Sequence, residues 1–547
     1  MDKATAWELR GSAGPVAPLQ RAALWLASLG GWRRYLAAFL LGAIAVLALP
    51  PFNMLPVNFL PVLLVSFPGL VWLTDGNTGY RSAFALGWSF GFGFFVAGLY
   101  WIAAALFVDI AHFWWLVPFA VAGVPAGLAI FTGLALLVSY GLCRVLRLGG
   151  TGRVLALVFC WCAAEWLRGH ILTGFPWNLI GYAWSGSFPG ALALLQLASL
   201  TGIYGLSLLT VLVACLAARL GDFSGRRSLA LLAALLLVGL PAAWGAYRLS
   251  SGPPGDVPNV TLRLVQPSIP QTMKQDPAAL LGNFRRLFAL STSPATTPPT
   301  AIIWPEDAAP PFLDRDGGAR QALAQAAPQN GYVITGTTRT DPAPEAPTHV
   351  WNSLVAVDHD GAIRASYDKF HLVPFGEYVP LRNILPIQKI TPGTIDFSAG
   401  PGPRTIALPG LPPFSPLICY EAIFPGAVVD PAHRPDWLLN VTDDAWYGFT
   451  SGPFQHFAIA RLRAIEEGLP LARVGDNGIS AMFDPYGRIT AQLALDDVGV
   501  LDVKLPQALP PTLYSRIGDL PFFGAMLLIV AAILWPRLSA LVFTRKA

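Results

Sequence analysis

The first 250 residues constrain the fold of this chain more than any other feature. They carry only 20 charged side chains, 14 basic and 6 acidic, while the other 297 of the 547 residues carry 48. Apolar runs of about 20 residues, the length that crosses a bilayer as a helix, recur in this half. They lie near 34–50, 54–74, 82–107, 114–142, 154–171, 190–218 and 229–247, with one more near 519–540. A helix satisfies its own backbone, which hydrocarbon requires of any spanning segment. The stretch 176–189 is apolar but broken by Pro176, Gly181, Gly186 and Pro189, so it reads as an interfacial or partly inserted loop. No small-residue cleavage site follows the first run, which reads as a retained anchor. Glu165 and Arg168, three apart on one helical face, are placed to pair at the membrane boundary.

Basic residues then set the orientation. Arg33 and Arg34, Arg81, the group Arg144, Arg147 and Arg153, the group Arg219, Arg226 and Arg227, and finally Arg537, Arg545 and Lys546 all fall on one side of an eight-span arrangement. That side is the cytoplasm. The opposite loop at 108–113 has no Lys or Arg. The expected organisation is a cytoplasmic segment 1–30, a seven-helix membrane domain at 31–250, an extracytoplasmic globular domain at 256–505, an eighth transmembrane helix at 519–540 and a cytoplasmic tail at 541–547. The formal net charge of +4 is too small to argue for nucleic acid.

Residues 256–505 alternate strand-like and helix-like stretches. Strands are expected at 260–269, 300–306, 331–338, 352–358, 415–421, 436–444 and 479–487, and helices at 277–293, 317–328 and 453–468. The pattern is that of an α/β layer fold. Of the five cysteines, Cys143, Cys160, Cys162 and Cys215 lie in or beside the apolar half. Only Cys419 lies in the globular part, so that domain forms no internal disulfide. Cys160-Trp-Cys162 has no flanking ligands and reads as membrane-helix packing rather than a metal site. Polar residues at strand ends are the informative ones, because sites in α/β proteins collect there. Glu306 follows the apolar run AIIW, Cys419 ends the run SPLI, and Glu421 shares a face with Cys419 if the chain stays extended. The segment YDKFHLVPFGEYVP (367–380) sets Lys369, His371 and Glu377 in apolar surroundings, where charges need partners.

WPE at 304–306, Lys369 within YDKFHLVPFGEYVP and CYE at 419–421 together resemble the nitrilase superfamily and its Glu-Lys-Cys triad. A domain of this kind framed by a seventh and an eighth span is similar to the membrane-bound branch, the apolipoprotein N-acyltransferases. DDAWYGFTSGPFQHF (443–457), DNGI (476–479) and TGFPWN (173–178) support that resemblance, which covers about residues 30–540. It implies a multi-span α-helical membrane domain carrying an extracytoplasmic αββα nitrilase-like sandwich, in the bacterial cytoplasmic (inner) membrane with the catalytic domain on the periplasmic side and both termini cytoplasmic. It also implies Glu306 as general base, Lys369 as oxyanion stabiliser and Cys419 as nucleophile, with no metal and no cofactor. The Tyr420 backbone N–H is a second oxyanion donor, and Glu377 and Glu421 orient Lys369 and the incoming amine. The implied reaction is ping-pong: an acyl chain passes from a membrane phospholipid, most often phosphatidylethanolamine, through a thioester to the α-amino group of an apolipoprotein's diacylglyceryl-cysteine. Phe175, Trp177, Trp446, Tyr447 and Phe449 are candidates for the lining of an apolar cleft serving both lipid substrates. Nothing in the sequence demands an oligomer.

Two positions depart from the family pattern. Asp443 stands where Asn is usual, and Gln275 where Trp is expected. His371 and His456 have no shared ligand spacing and read as buried, hydrogen-bonded histidines. The competing enzymatic reading is a membrane-anchored nitrilase-type amidase that releases its acyl group to water. A non-catalytic membrane carrier is the competing reading outside enzymes, and it predicts a dispensable Cys419.

Overall fold

The structure, a computed structural model, describes residues 18–55, 60–76, 79–221, 227–274, 276–341, 348–384 and 387–544. Gln275 and residues 1–17 and 545–547 lie outside them, as does Arg226.

The apolar half is helical. Its main helices are α1 (Gly31–Ala45), α2 (Leu63–Asp75), α3 (Tyr80–Leu99), α4 (Val124–Val145), α5 (Thr151–His170), α6 (Ala198–Leu216) and α7 (Arg227–Leu249). Among the described residues, five helical stretches are long and apolar enough to cross a membrane: 31–48, 80–116, 119–145, 198–221 and 228–249. The apolar helix at 60–75 is shorter. Helix α3 lies close against α1, where a Cβ at Gly42 or Gly93 would run into the facing backbone at Phe90 or Phe39. Small residues at such crossings let membrane helices reach van der Waals contact. Helix α6 is interrupted at Gly202, whose φ of +64° only glycine adopts freely.

The stretch 176–189 is neither a span nor an exposed loop. It carries a 3₁₀ segment, Ile180–Ser185, with every residue buried. Glu165 and Arg168 do not form an ion pair with each other. Arg168 Nη1 donates to the carbonyls of Phe175 (2.8 Å) and Trp177 (2.6 Å), and Glu165 Oε1 accepts from Ile180 N (3.2 Å). Both side chains satisfy backbone groups of a non-helical segment, which could not persist in apolar surroundings otherwise.

The remaining domain is built from two six-stranded sheets. The first contains β1 (Asp256–Gln266), β2 (Ala301–Ile303), β3 (Tyr332–Thr340), β4 (Val350–Asp358), β5 (Ile363–Asp368) and β12 (Gly499–Pro506), in the order β12-β1-β2-β3-β4-β5. The second contains β6 (Ile406–Leu408), β7 (Leu411–Ile418), β8 (Trp437–Thr442), β9 (Leu471–Gly475), β10 (Ala481–Phe483) and β11 (Ile489–Gln492), in the order β11-β10-β9-β8-β7-β6. Each has a parallel centre, β1-β2-β3 and β7-β8-β9, with antiparallel margins. Both faces of the central strands are buried, so their sequences read as continuous apolar runs rather than alternations. In β2, Ala301 and Ile303 face the other sheet while Ile302 meets the outer helices; in β8, Trp437, Leu439 and Val441 face inward while Leu438 faces out.

Helices α8 (Leu280–Ser291) and α9 (Gly317–Ala324) cover the first sheet. Helix α10 (Gly452–Glu467) covers the second, and fourteen of its sixteen residues are buried. Phe457, Ala460 and Ala464 pack on the sheet, while Ile459, Leu462 and Ile465 join the core of the membrane helices with Ile203 and Phe522. The last helix, α11 (Leu520–Thr544), contributes Phe522, Met526 and Ile529 to that same core. One helix therefore cements the sandwich to the membrane domain and fixes the height of whatever lies at the strand ends.

Candidate active site

Glu306, Lys369 and Cys419 come from the ends of β2, β5 and β7. Glu306 turns in immediately after β2 because Gly336 of the neighbouring strand leaves room: a Cβ there would lie 2.6 Å from Glu306 Cα. Its Oε1 accepts from Asn352 Nδ2 (2.7 Å) and Lys369 Nζ (3.4 Å), and its Oε2 from Asp443 N (2.8 Å). Lys369 is 1% exposed and also donates to Glu377 Oε1 (3.0 Å). Asn352 Nδ2 donates to that same Glu377 oxygen (3.0 Å), and Val373 N to Oε2 (2.8 Å). The Lys369 ammonium is thus held by two carboxylates. Sequence reasoning missed Asn352; its signal is a lone amide opening the apolar strand WNSLVAVD.

The charges are settled by this geometry. Burial would push the Glu306 carboxyl up, but Lys369, Asn352 and the Asp443 N–H together hold it below the ordinary range. Burial would likewise lower Lys369, but Glu377 and Glu306 hold it above its ordinary value, so it stays an ammonium. The Cys419 thiol is pushed up by burial and by Glu306, against the pull of Lys369. The resting site is thiol, carboxylate and ammonium, so nucleophilic attack needs a base and one is present.

The expectation that Cys419 and Glu421 share a face of an extended strand is corrected. Strand β7 stops at Ile418, Cys419 takes a φ of +51°, and residues 419–423 form a 3₁₀ turn. This is a strained position for a side-chain-bearing residue, and it throws the thiol out of the sheet. The Glu421 side chain turns back instead. Its Oε1 accepts from Phe370 N (2.7 Å) and Tyr367 Oη (3.0 Å), and its Oε2 from Ile418 N (2.7 Å). Glu421 is fully buried and ties the segment bearing Lys369 to the strand bearing Cys419. Burial pushes it up to about 7 despite those donors. Behind the thiol, His456 Nε2 lies 3.1 Å from the Cys419 carbonyl oxygen, which can only accept, so Nε2 is the donor. Asp444 and Arg473 face the other ring nitrogen at 3.0 and 3.2 Å.

Asp443 has a partner in this chain. Its Oδ2 lies 2.7 Å from Lys274 Nζ, which also contacts Asp476 Oδ2; both carboxylates are buried, and the Lys274 side chain is 7% exposed. One ammonium thus serves two carboxylates, with Asp307 nearby. Burial pushes Asp443 up to about 7, against the pull of Lys274.

The proposed lining residues separate. Tyr447 Oη lies 3.8 Å from Cys419 Sγ. Trp177 is fully buried behind it, ring centroids 6.0 Å apart, with Nε1 donating to Gln455 Oε1 (2.7 Å). Trp101 donates to the same oxygen (2.9 Å) and packs on both Trp177 and Tyr447. Phe175 stacks on Trp177 at 6.0 Å. Trp446 is half-buried, and Phe449 is 81% exposed. The Tyr420 side chain points to the membrane domain, its Oη donating to Gly174 O (3.3 Å). His371 stacks on Phe424 at 3.8 Å. Among the described residues no group of three or more His, Cys, Asp or Glu is arranged to hold a metal.

These features define a carbon-nitrogen hydrolase domain built onto a helical membrane domain. Two family models match accordingly: the apolipoprotein N-acyltransferase N-terminal domain over residues 41–216 and the carbon-nitrogen hydrolase domain over residues 261–509. Relatives named apolipoprotein N-acyltransferase include those of Rhodopseudomonas palustris, 42% identical over 94% of this chain and 96% of the relative, and Bradyrhizobium diazoefficiens, 44% identical over 95% and 97%. Among solved structures, an amidase from a Nesterenkonia species aligns with 50% of this chain and 99% of its own at 19% identity and a TM-score of 0.35. The chain belongs to the apolipoprotein N-acyltransferase family, a family of transferases.

Proposed function

We propose that this protein transfers an acyl chain from a membrane phospholipid to the α-amino group of the N-terminal diacylglyceryl-cysteine of apolipoproteins, through a thioester on Cys419. Glu306 takes the thiol proton as sulfur attacks the phospholipid's ester carbonyl. The tetrahedral oxyanion is stabilised by the Lys369 ammonium and the Tyr420 N–H, donors fixed before charge develops. Collapse breaks the ester bond, and Glu306 returns its proton to the departing lysophospholipid oxygen. The lipoprotein amine then attacks the thioester, Glu306 takes the amine proton, and breakdown gives the amide and the free thiol. Glu377 holds Lys369 in place, and Glu421 fixes the Lys369 segment against the nucleophile's strand.

The domains are read as seven spans before the catalytic domain and one after it. Helix α5, at 20 residues, is about 30 Å long, the thickness of the hydrocarbon core. The arginine clusters support cytoplasmic termini and a catalytic domain on the far side of the bacterial inner membrane. There, a lipid ester is the activated acyl group at hand. The observation that carries the proposal is the convergence of Glu306, Lys369 and Cys419 in a chain whose family membership extends over nearly its full length. Purified protein incubated with phospholipid should gain one acyl mass on Cys419 and lose it to a diacylated lipopeptide amine. Release of free fatty acid with no N-acylated peptide would establish the hydrolase instead.

A further inference from the structure

A cavity of about 430 Å³ lies between residues 105–113, towards the end of the 80–116 stretch, and residues 382 and 388–394. Each wall is tied to the surroundings of the site. One wall continues from Ala104, which abuts Gly448 next to Tyr447. The other hangs from the turn that carries Glu377: Ile390 N donates to Phe375 O (3.0 Å) and Thr391 N to Gly376 O (3.1 Å). Around it, Phe107, Trp114, Trp115, Leu381 and Ile384 are exposed. Exposed tryptophans and aliphatics in such a ring mark the level where hydrocarbon meets headgroups.

Among the described residues one cation of the cavity, Lys389, makes no direct ion pair with a carboxylate, although Asp396 and Glu377 are near enough to attract it. Lys389 is 5% exposed, and its Nζ donates to two neutral oxygens, Thr391 Oγ1 (3.0 Å) and Pro392 O (2.8 Å), while resting 4.7 Å from the centre of the Phe397 ring. An ammonium has three protons, so one donor remains. Of the other charges lining the cavity, Arg382 is held by both oxygens of Asp396, and the Asp109 carboxylate lies 2.8 Å from His112 Nδ1, which offsets it only when protonated. Burial holds the Lys389 ammonium below its ordinary value, outweighing the pull of Asp396 and Glu377. Such a cation is costly to keep unless a ligand supplies the negative charge.

We propose that this cavity binds the phosphodiester of a membrane lipid headgroup, with a phosphate oxygen accepting from Lys389 Nζ. The proposal rests on the reading of a phospholipid as acyl donor and adds how that donor is seated: headgroup over Lys389, ester toward Cys419. A neutral glyceride with the same chains lacks this contact.

The test uses the full chain carrying Cys419→Ala in detergent micelles, with a diether phosphatidylethanolamine, which binds but has no ester to react, and the corresponding diether glycerol. Loss of one charge-assisted hydrogen bond gives about a 10- to 100-fold change in affinity. Lys389→Met should weaken binding of the diether phospholipid by that factor, leave the diether glycerol unchanged, and be largely rescued by Lys389→Arg. Equal weakening of both ligands, or of neither, would overturn the proposal. The measurement needs no turnover. Lys389-dependent binding in a protein whose wild type makes no thioester from the diester phospholipid would therefore sink the donor reading alone.

Discussion

Replacing Lys274 with Met tests whether a buried cation holds the Asp443 loop against Glu306. Lys274 is 7% exposed, with Asp443 and Asp476 in direct contact, so the variant leaves two buried carboxylates with no cation between them. Breaking a buried ion pair from one side costs roughly 3–5 kcal/mol. Asp443→Asn, in contrast, leaves Lys274 paired with Asp476 and should cost no more than about 1 kcal/mol, the net worth of a typical hydrogen bond. The double variant should then be more stable than Lys274→Met alone by roughly 1–3 kcal/mol, within the range of couplings between touching residues. The sign with pH follows from the raised carboxyl of Asp443. At about 7 it holds a proton when folded that an unfolded carboxyl has released. Its stabilising contribution is therefore complete below about pH 4 and is lost as pH rises through 7. Lys274→Met pushes it further up, so its damage should shrink between pH 7.5 and pH 5. The assay is tryptophan-monitored thermal unfolding of the four proteins in detergent at both pH values, read as an ordering of midpoints because a two-domain chain is not two-state. Equal midpoints for Lys274→Met and the double variant, or damage that grows on acidification, would refute the reasoning.

Asn352→Leu removes the donor shared by Glu306 and Glu377. Thioester formation should fall at least about 10- to 100-fold, the effect of losing one bond to a charged group where two are lost; intact-mass time courses read it. Glu421→Gln puts an amide nitrogen against either Phe370 N or Ile418 N, both donors. Stranding one buried N–H costs about 1–3 kcal/mol. Glu421 at about 7 is a raised carboxyl whose contribution declines from about pH 4 to 7, so the variant's midpoint should vary less over that window than the wild type's. Gln455→Leu strands the indole N–H groups of Trp101 and Trp177 and frees the carbonyls of Pro50 and Gly98. It should lower the midpoint more than Phe449→Ala, whose ring is exposed.

What the sequence made legible follows from how each feature is encoded. Apolar runs mark membrane helices because hydrocarbon selects composition residue by residue, and the strands at 301–303, 332–340 and 437–442 are visible because both their faces are buried. β5, β6, β9, β11 and β12 went unassigned. β11 is a margin strand with exposed and half-buried residues, and β6 is three residues long, so neither builds a pattern. Glu306, Lys369 and Cys419 were legible through motifs at strand ends. Lys274, Asn352, Trp101 and Gln455 were not, since each acquires its role from a partner far along the chain that only the register of two sheets and the membrane helices brings near. The Cys419 turn was misread for a related reason: a single left-handed residue leaves no periodic trace.

The most consequential of these hidden contacts sit side by side. Gln455 and His456 are consecutive on α10, about 100° apart around a helix, and they hold different partners. Gln455 holds the indoles of Trp101 and Trp177 and the carbonyls of Pro50 and Gly98, all from the membrane domain. His456 holds the carbonyl of the strained Cys419. A single peptide unit thus links the membrane helices to the backbone of the nucleophile. Displacing Trp101 or Trp177 loads the turn that aims the thiol, whereas a change at the exposed Phe449 does not. The seat of Cys419 is shared between the two domains, which is why its geometry belongs to the whole chain rather than to the sandwich alone.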